Sequence, residues 1–288
     1  MYSLPLLRTV ISYPCLGLMV MLLIKAVSVS AAPILWNRLG STQEVLNSAY
    51  GPDLGFYGGG TWPDVVGNPA FVPGAFGNAL TIGPGSYGIY DREHTVVWNN
   101  LNQYLNPARG TIEVWYKQTQ NPVGYSRGVY RIFDGSYGLG SGMNFTSETI
   151  PNTRLYFGLE FGSGNYTALS YDISAFNGTW IHLAGVWDRD GIGGSLDKLR
   201  LYVNGNVAAA STVAGWGNQV GQQADIGGGN DGNIANKFAL DNLKVFDIAR
   251  TDFSDRFFEA AAVPEPRSAV LLVLGLLSLC RRGFKQKC

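Results

Sequence analysis

Thr179-Trp-Ile-His-Leu-Ala-Gly-Val-Trp-Asp188 runs into a glycine-rich break at Gly191-Ile-Gly-Gly194, and Asp197-Lys-Leu-Arg-Leu-Tyr-Val-Asn204 follows. Both runs are rich in β-branched and aromatic residues and end in Gly, Asp or Asn, which is the pattern of strands separated by turns. The second passes into Val203-Asn-Gly-Asn-Val207, where Asn-Gly readily takes positive φ, so a tight hairpin is predicted. Working outward, similar runs recur at Ala79–Ile82, Gly110–Gln118, Gly128–Phe133, Thr153–Phe161, Tyr166–Ile173, Gln222–Ile226 and Phe238–Asp247. No stretch has a helical period until Asp252–Ala261, where Thr251 or Asp252 is placed to cap a short helix. Nine or more strands with no alternating helices predict an all-β, antiparallel two-sheet sandwich.

Composition agrees. The chain has 288 residues, of which 15% are charged, 12% aromatic and 38 glycine. Few charges and frequent Gly suit short strands and many turns, and 46% apolar residues exclude disorder. The zero formal net charge hides a split. Residues 1–32 carry +2, residues 33–262 carry 14 basic and 20 acidic side chains, and residues 263–288 carry +4. An acidic body of −6 excludes a nucleic-acid binder, which needs a basic patch on its folded part.

The two ends read as targeting segments. A short basic start to Arg8, an apolar stretch from Val10 to Ile24 and small residues from Val27 to Ala32 make residues 1–31 a signal peptide cleaved after Ala31. At the other end Pro264-Glu265-Pro266 precedes an apolar run over 269–280, and Arg281-Arg282, Lys285 and Lys287 follow. Twelve helical residues cover about 18 Å against a hydrocarbon core of roughly 30 Å, which suits a transient transmembrane helix held by cytoplasmic cations. Residues 263–288 closely resemble the bacterial PEP-CTERM sorting signal. The resemblance implies export, processing by an exosortase-type membrane protease, and delivery to the cell surface or extracellular matrix. Arg267 and the extension Phe284–Cys288 depart from that family's pattern. The cysteines, Cys15, Cys280 and Cys288, all lie in these terminal segments, so the body has no disulfide, thiolate zinc site or cysteine nucleophile.

Within the body five runs occur in a telling order: Pro73-Gly-Ala-Phe-Gly-Asn-Ala79, Gly110-Thr-Ile-Glu-Val-Trp-Tyr-Lys117, Asn177–Asp188, Leu199-Arg-Leu-Tyr-Val-Asn-Gly205 and Ala239-Leu-Asp-Asn-Leu-Lys-Val-Phe246 before Ala249-Arg-Thr-Asp252. Together they resemble a LamG-like, concanavalin A-type jelly-roll domain, which assigns residues 33–262 to one such domain. Trp115 and Trp180, flanked by β-formers, are expected in the core.

The chemistry points away from catalysis. The Glu-x-Asp-x-x-Glu strand of jelly-roll glucanases, whose carboxylates act as nucleophile and general acid, is absent. Asp91-Arg-Glu-His94 reads as an acid/base cluster or a charged strand-end loop, and His182 as a sheet histidine. Gly83-Pro-Gly-Ser-Tyr-Gly88 matches Gly-x-Gly-x-x-Gly without the following helix that a nucleotide site needs. Asp188, Asp190 and Asp197 form one oxygen-rich group, read as a Ca²⁺ site or a solvated hairpin loop. Asp231 with Asp241 forms a second, and the resemblance implies calcium there. Trp62, Tyr125, Tyr137 and Trp216 lie in Gly- or Asn-rich segments, as do Tyr57 and Trp98, and are candidates for stacking on sugars or for anchoring loops on the rim. These readings lead to an exported, non-catalytic surface module recognising extracellular polysaccharide or matrix glycans. The alternatives are an adhesive protein binding other proteins and, with less weight, a carbohydrate-active enzyme.

Overall fold

The computed structural model describes residues 32–56, 69–82, 96–118, 129–137, 143–148, 154–229 and 238–257. The signal peptide over 1–31, Ala31, and the sorting segment over 263–288 with its apolar helix lie outside them. Among the described residues no helix is long and apolar enough to cross a membrane.

Two sheets carry the strands, and every pairing is antiparallel. Sheet I contains β1 (Leu35–Asn37), β3 (Pro69–Pro73), β4 (Asn78–Ile82), β6 (Arg109–Gln118), β11 (Ile181–Asp188), β12 (Leu199–Val203), β13 (Asn206–Ser211) and β15 (Phe238–Phe246). Its order is β13-β12-β11-β6-β15-β4-β3, with β1 also on β15. Sheet II contains β2 (Gly55–Phe56), β5 (Val96–Asn99), β7 (Val129–Tyr137), β8 (Met143–Glu148), β9 (Arg154–Leu159), β10 (Thr167–Asp172) and β14 (Gln223–Gly229), in the order β10-β9-β8-β7-β14-β5-β2. The single described α-helix, α1 (Thr42–Leu46), is capped by the Ser41 hydroxyl, which accepts from the Glu44 N–H at 3.1 Å. All nine strand runs read from the sequence are present, and the hairpin turns at Asn204 and Gly205 with φ of 52° and 82°.

One core fills the space between the sheets. Sheet I contributes Ile112, Val114, Tyr116, Leu183, Trp187, Leu201, Leu240 and Val245, and sheet II contributes Val96, Trp98, Phe133, Leu155, Phe157, Leu159 and Ile226. Fit between the layers is close: a Cβ on Gly185 of β11 would collide with the Phe157 ring of β9. Trp187 likewise lies over Gly110, its register partner on β6.

Alternation separates the two outer faces. Along β10, Thr167 and Leu169 are buried while Ala168, Ser170 and Asp172 are exposed, as expected of a strand with one wet face. Strand β11 is buried through Trp187 on both faces. Its second face, with those of β6, β12 and β15, is covered by the chain after β15. Phe253 packs on Tyr202 and His182, with ring centroids 4.9 and 5.5 Å away, beside Ala184, Val186 and Ile192. The Thr111 hydroxyl donates to the Ile248 carbonyl at 2.7 Å and accepts from the Arg250 N–H at 2.9 Å, and the Trp115 indole N–H donates to the Arg256 carbonyl at 3.2 Å. We call residues 247–257 the strap. Trp115, expected in the core, lies under it instead, because odd-numbered residues of β6 face away from the core; Trp180 is only half-buried. The helix expected over Asp252–Ala261 begins as a 3₁₀ turn, Ser254–Phe257, since Asp252 caps the Ser254 N–H while Arg250 binds the Asp252 carbonyl; residues 258–261 lie outside the described part.

Arg250 fixes the strap. Its Nη1 lies 3.1 Å from both carboxylate oxygens of Glu113, which is 2% exposed, and its Nη2 lies 2.6 Å from Asp255 Oδ1. The guanidinium sits between the Phe246 and Phe253 rings. Lys244 Nζ and His182 Nε2 each stand 3.7 Å from Glu113. Burial alone would raise the Glu113 pKa, but His182, Arg250 and Lys244 outweigh it and hold the carboxyl below the usual glutamate range. A depressed native pKa gives stability that is complete above about pH 4.5, the ordinary value, and is lost as pH falls through the native value. Unfolding free energies from pH 7 to pH 3 are therefore expected to fall more steeply below pH 4.5 for the wild type than for Glu113→Gln. Arg250→Met, which strands a buried charge, is expected to cost about 3–5 kcal/mol at pH 7. Parallel pH curves for wild type and Glu113→Gln would refute the role given to this carboxylate.

Candidate functional site

The strap covers β6, β11, β12 and β15 of sheet I, while β13 at its edge keeps exposed residues; the outer face of sheet II carries exposed side chains of its own. Register aligns its residues in rows. One row crosses Val97 on β5, Asp225 on β14, Asp134 on β7, Asn144 on β8, Gly158 on β9 and Ala168 on β10. The next crosses Arg131, Thr146, Tyr156 and Ser170, and a third pairs Glu148, Arg154 and Asp172. At about 4.8 Å per strand, the first row spans roughly 14 Å from the β14 carboxylate to Gly158.

The exposed end of that row is aromatic. Tyr166, just ahead of β10, is 50% exposed, and its ring lies on Gly158, where any Cβ would collide with it. Glycine at 158 thus seats the ring against the sheet. The turn that presents Tyr166 is tied down by Ser163, whose hydroxyl lies 3.0 Å from the carbonyls of Glu160 and Asn165 and 3.0 Å from the Asn165 N–H. Further along the same face, Arg154 Nη1 donates to the Ser170 hydroxyl at 3.3 Å. Asp172 accepts from the Ser174 N–H at 2.8 Å, and this bond, the Ser174 hydroxyl and the Arg154 charge hold its carboxyl below the usual aspartate range.

The inner end is polar and buried. Asp225 and Asp134, 2% and 8% exposed, are direct register partners. The Gln223 amide donates to Asp225 Oδ1 at 3.1 Å, and Arg131 Nε lies 3.4 Å from Asp134 Oδ2. No sequence spacing reveals this pair, because the two residues come from strands β7 and β14, far apart in the chain. Tyr166 was legible only as the first residue of a strand run; its even-numbered phase with Ala168 and Ser170, opposite Leu169, is the signal that places it outward.

The residues predicted to bind sugar fall elsewhere. Trp216 is a correction: it is 2% exposed instead of open to solvent. Its indole N–H donates to the Pro107 carbonyl at 2.9 Å, the Arg189 guanidinium stands over its ring at 5.7 Å, and Arg189 also binds the Trp216 and Gly217 carbonyls. Trp216 therefore anchors a loop. Trp98 is wholly buried in the core. Tyr137 ends β7, and Trp62, Tyr125 and Tyr57 lie outside the described residues.

The calcium expectation meets a poor donor set. Asp197 Oδ2 is 2.8 Å from Arg200 Nη2 and accepts from its Nε at 2.9 Å; Arg200 also binds Ser195 and Tyr202. Asp188 Oδ1 accepts from the Asp190 N–H at 2.8 Å. Among the described residues no three His, Cys, Asp or Glu side chains form a metal-binding group. Asp241 is fully buried at a bulge in β15, accepting from the Phe76 N–H at 2.8 Å and the Asn242 amide at 3.2 Å, while Asp231 lies outside the described part. Asp188, Asp190 and Asp197 are therefore a hydrogen-bonded loop whose key carboxylate serves Arg200. Asp197→Ala is expected to lower the melting midpoint equally in excess calcium and in chelator. A loss seen only with calcium present would overturn that assignment.

Relatives extend these observations. No curated protein matches the chain. Among solved structures, the receptor-binding domain of botulinum neurotoxin mosaic serotype C/D aligns with a TM-score of 0.54 and 15% identity, over 76% of this chain and 48% of that one. The type G receptor-binding domain aligns with a TM-score of 0.54 and 16% identity, over 79% and 51%. The serotype D binding domain gives 0.53 and 16%, over 76% and 49%. The chain thus spans about half the length of these structures, and at such identity they share its fold. The sequence profile of the concanavalin A-like lectin/glucanases superfamily matches residues 92–253, more than half of the chain. These residues include β5 to β15 and the strap as far as Phe253, and the chain belongs to the concanavalin A-like lectin/glucanases superfamily.

Proposed function

We propose that the protein is an exported, surface-targeted glycan-binding module that holds extracellular polysaccharide on the outer face of sheet II. The observation that carries this reading is the half-exposed Tyr166 ring seated on Gly158, on a face whose following register rows hold Tyr156, Ser170 and Arg154. A flat apolar ring on a face that also bears hydroxyl and guanidinium groups suits a pyranose, which offers an apolar C–H face and hydroxyls at its rim. Membership of a lectin-containing superfamily and a fold shared with receptor-binding domains support a binding role. The signal peptide and the PEP-CTERM-like segment read from the sequence support export, exosortase-type processing and delivery to the cell surface or matrix.

A second reading rests on one feature. Opposed residues in antiparallel strands hold their Cβ atoms about 4.5–5.5 Å apart, near the roughly 5–5.5 Å carboxyl separation of retaining glycosidases, so Asp134 and Asp225 favour a hydrolase more than any sequence motif does. Their burial, and the Arg131 and Gln223 contacts, favour a structural role at the inner end of the face. Release of reducing ends from polysaccharide that is abolished by Asp134→Asn would decide for the enzyme.

Affinity electrophoresis of the full chain through gels containing dextran, galactomannan, xyloglucan or hydroxyethyl cellulose tests the binding reading. At least one polysaccharide is expected to retard the wild type. Tyr166→Ala is expected to weaken that retardation about tenfold, about 1.4 kcal/mol, with the melting midpoint little changed because the ring is half exposed. Retardation by none of them, or equal retardation of the Tyr166 variant, would overturn it.

A further inference from the structure

Resting on that reading, we infer that the outer face of sheet II selects uncharged polysaccharide and rejects uronate- or sulfate-bearing chains. The described ionisable residues at outward positions of this face are the carboxylates Asp134, Asp172 and Asp225, Glu160 in the same phase just past β9, and the guanidiniums Arg131 and Arg154. Arg131 lies 3.4 Å from Asp134 and is largely buried. Arg154, the exposed one, is the register partner of Asp172, and its Nη1 donates to Ser170. An arriving carboxylate or sulfate would compete with Asp134 for Arg131. It would also approach Asp172, which is exposed and kept ionised by the Ser174 N–H.

The rest of the row adds no cation. Among residues whose side chains are described, Gly158 stands between the carboxylates and the ring, and the neighbouring row carries Tyr156 and Ser170. Recognition here therefore runs chiefly through ring stacking and neutral hydrogen-bonding groups. Such contacts attract sugar hydroxyls without a long-range field, whereas the excess of carboxylate on the face and the −6 of residues 33–262 repel polyanions.

Matched pairs of polymers isolate charge from backbone chemistry: hydroxyethyl cellulose against carboxymethyl cellulose, dextran against dextran sulfate, and methyl-esterified pectin against polygalacturonate. Affinity electrophoresis of the full chain at about 10 mM salt, where the screening length is roughly 30 Å, is expected to give at least tenfold weaker binding to the anionic member of whichever pair is bound. The gap is expected to narrow at about 0.5 M salt. Asp172→Asn, which keeps an acceptor for the Ser174 N–H and removes one charge from the face, is expected to narrow it at low salt. Asp190→Asn, which removes one charge from the exposed loop between β11 and β12, is expected to leave it unchanged. Equal or tighter binding of the anionic member, still lost in Tyr166→Ala, would overturn the selectivity and leave the glycan-binding reading standing. Equal narrowing by both Asp variants would show that overall charge, not this face, is responsible, and would also overturn it. Retardation by no polymer would remove the reading on which the inference rests, and the inference with it.

Discussion

A buried carboxylate must be paired, and much of this molecule follows from how Glu113 is paired. It projects from the centre of sheet I on the side away from the core, where an uncompensated charge without water would be costly. Arg250 supplies the compensation from 137 residues further along the chain, and in doing so draws the strap across the sheet. Once the strap is seated, Phe253 fills the hollow beside Tyr202 and His182, and Trp115 gains both an apolar cover and a hydrogen-bond acceptor. The outer side of sheet I thereby becomes a second, smaller apolar layer. The strap closes the middle of one outer face, and the outer face of sheet II carries exposed side chains of its own.

That division explains the contrast between strands of similar composition. β11 is buried on both sides and reads as an almost continuous apolar run broken by His182. β10 alternates strictly, with its even-numbered side chains turned to solvent. Tyr166 belongs to the wet phase of β10, and the absence of a side chain at Gly158 lets its ring lie on the sheet instead of standing in solvent. On the same face Arg131 pairs with Asp134, and the aromatic ring with the hydroxyls of Tyr156 and Ser170 is what it offers to a large polar partner.

The architecture was legible in the sequence because long strands with a two-residue period or an apolar run announce themselves. β1, β2, β3, β5 and β8, of two to six residues, escaped notice, the first two being too short to carry a period; β13 was implied only by the Asn204-Gly205 turn before it. The site was less legible, for a different reason. Trp216, in Ala-Gly-Trp-Gly-Asn, looks exposed, but its loop folds back so that Pro107 and Arg189 enclose the ring. Tyr166 looks like ordinary strand material until the β9–β10 register sets it over Gly158. Asp197 reads as a calcium ligand, and only the fold shows that Arg200, three residues on, shares its oxygen. Each of these contacts is made by a fold-determined neighbour, whereas the strands rest on patterns local to one run.

The central claim is that ligand meets this protein on the outer face of sheet II around Tyr166. Hydrogen–deuterium exchange of the full chain, with and without the neutral polysaccharide that retards it most, addresses that claim directly. The account predicts slowed exchange in peptides covering residues 154–172, with the strap over 247–257 unchanged. Protection confined to residues 189–198 or to the strap, with 154–172 unaffected, would contradict it.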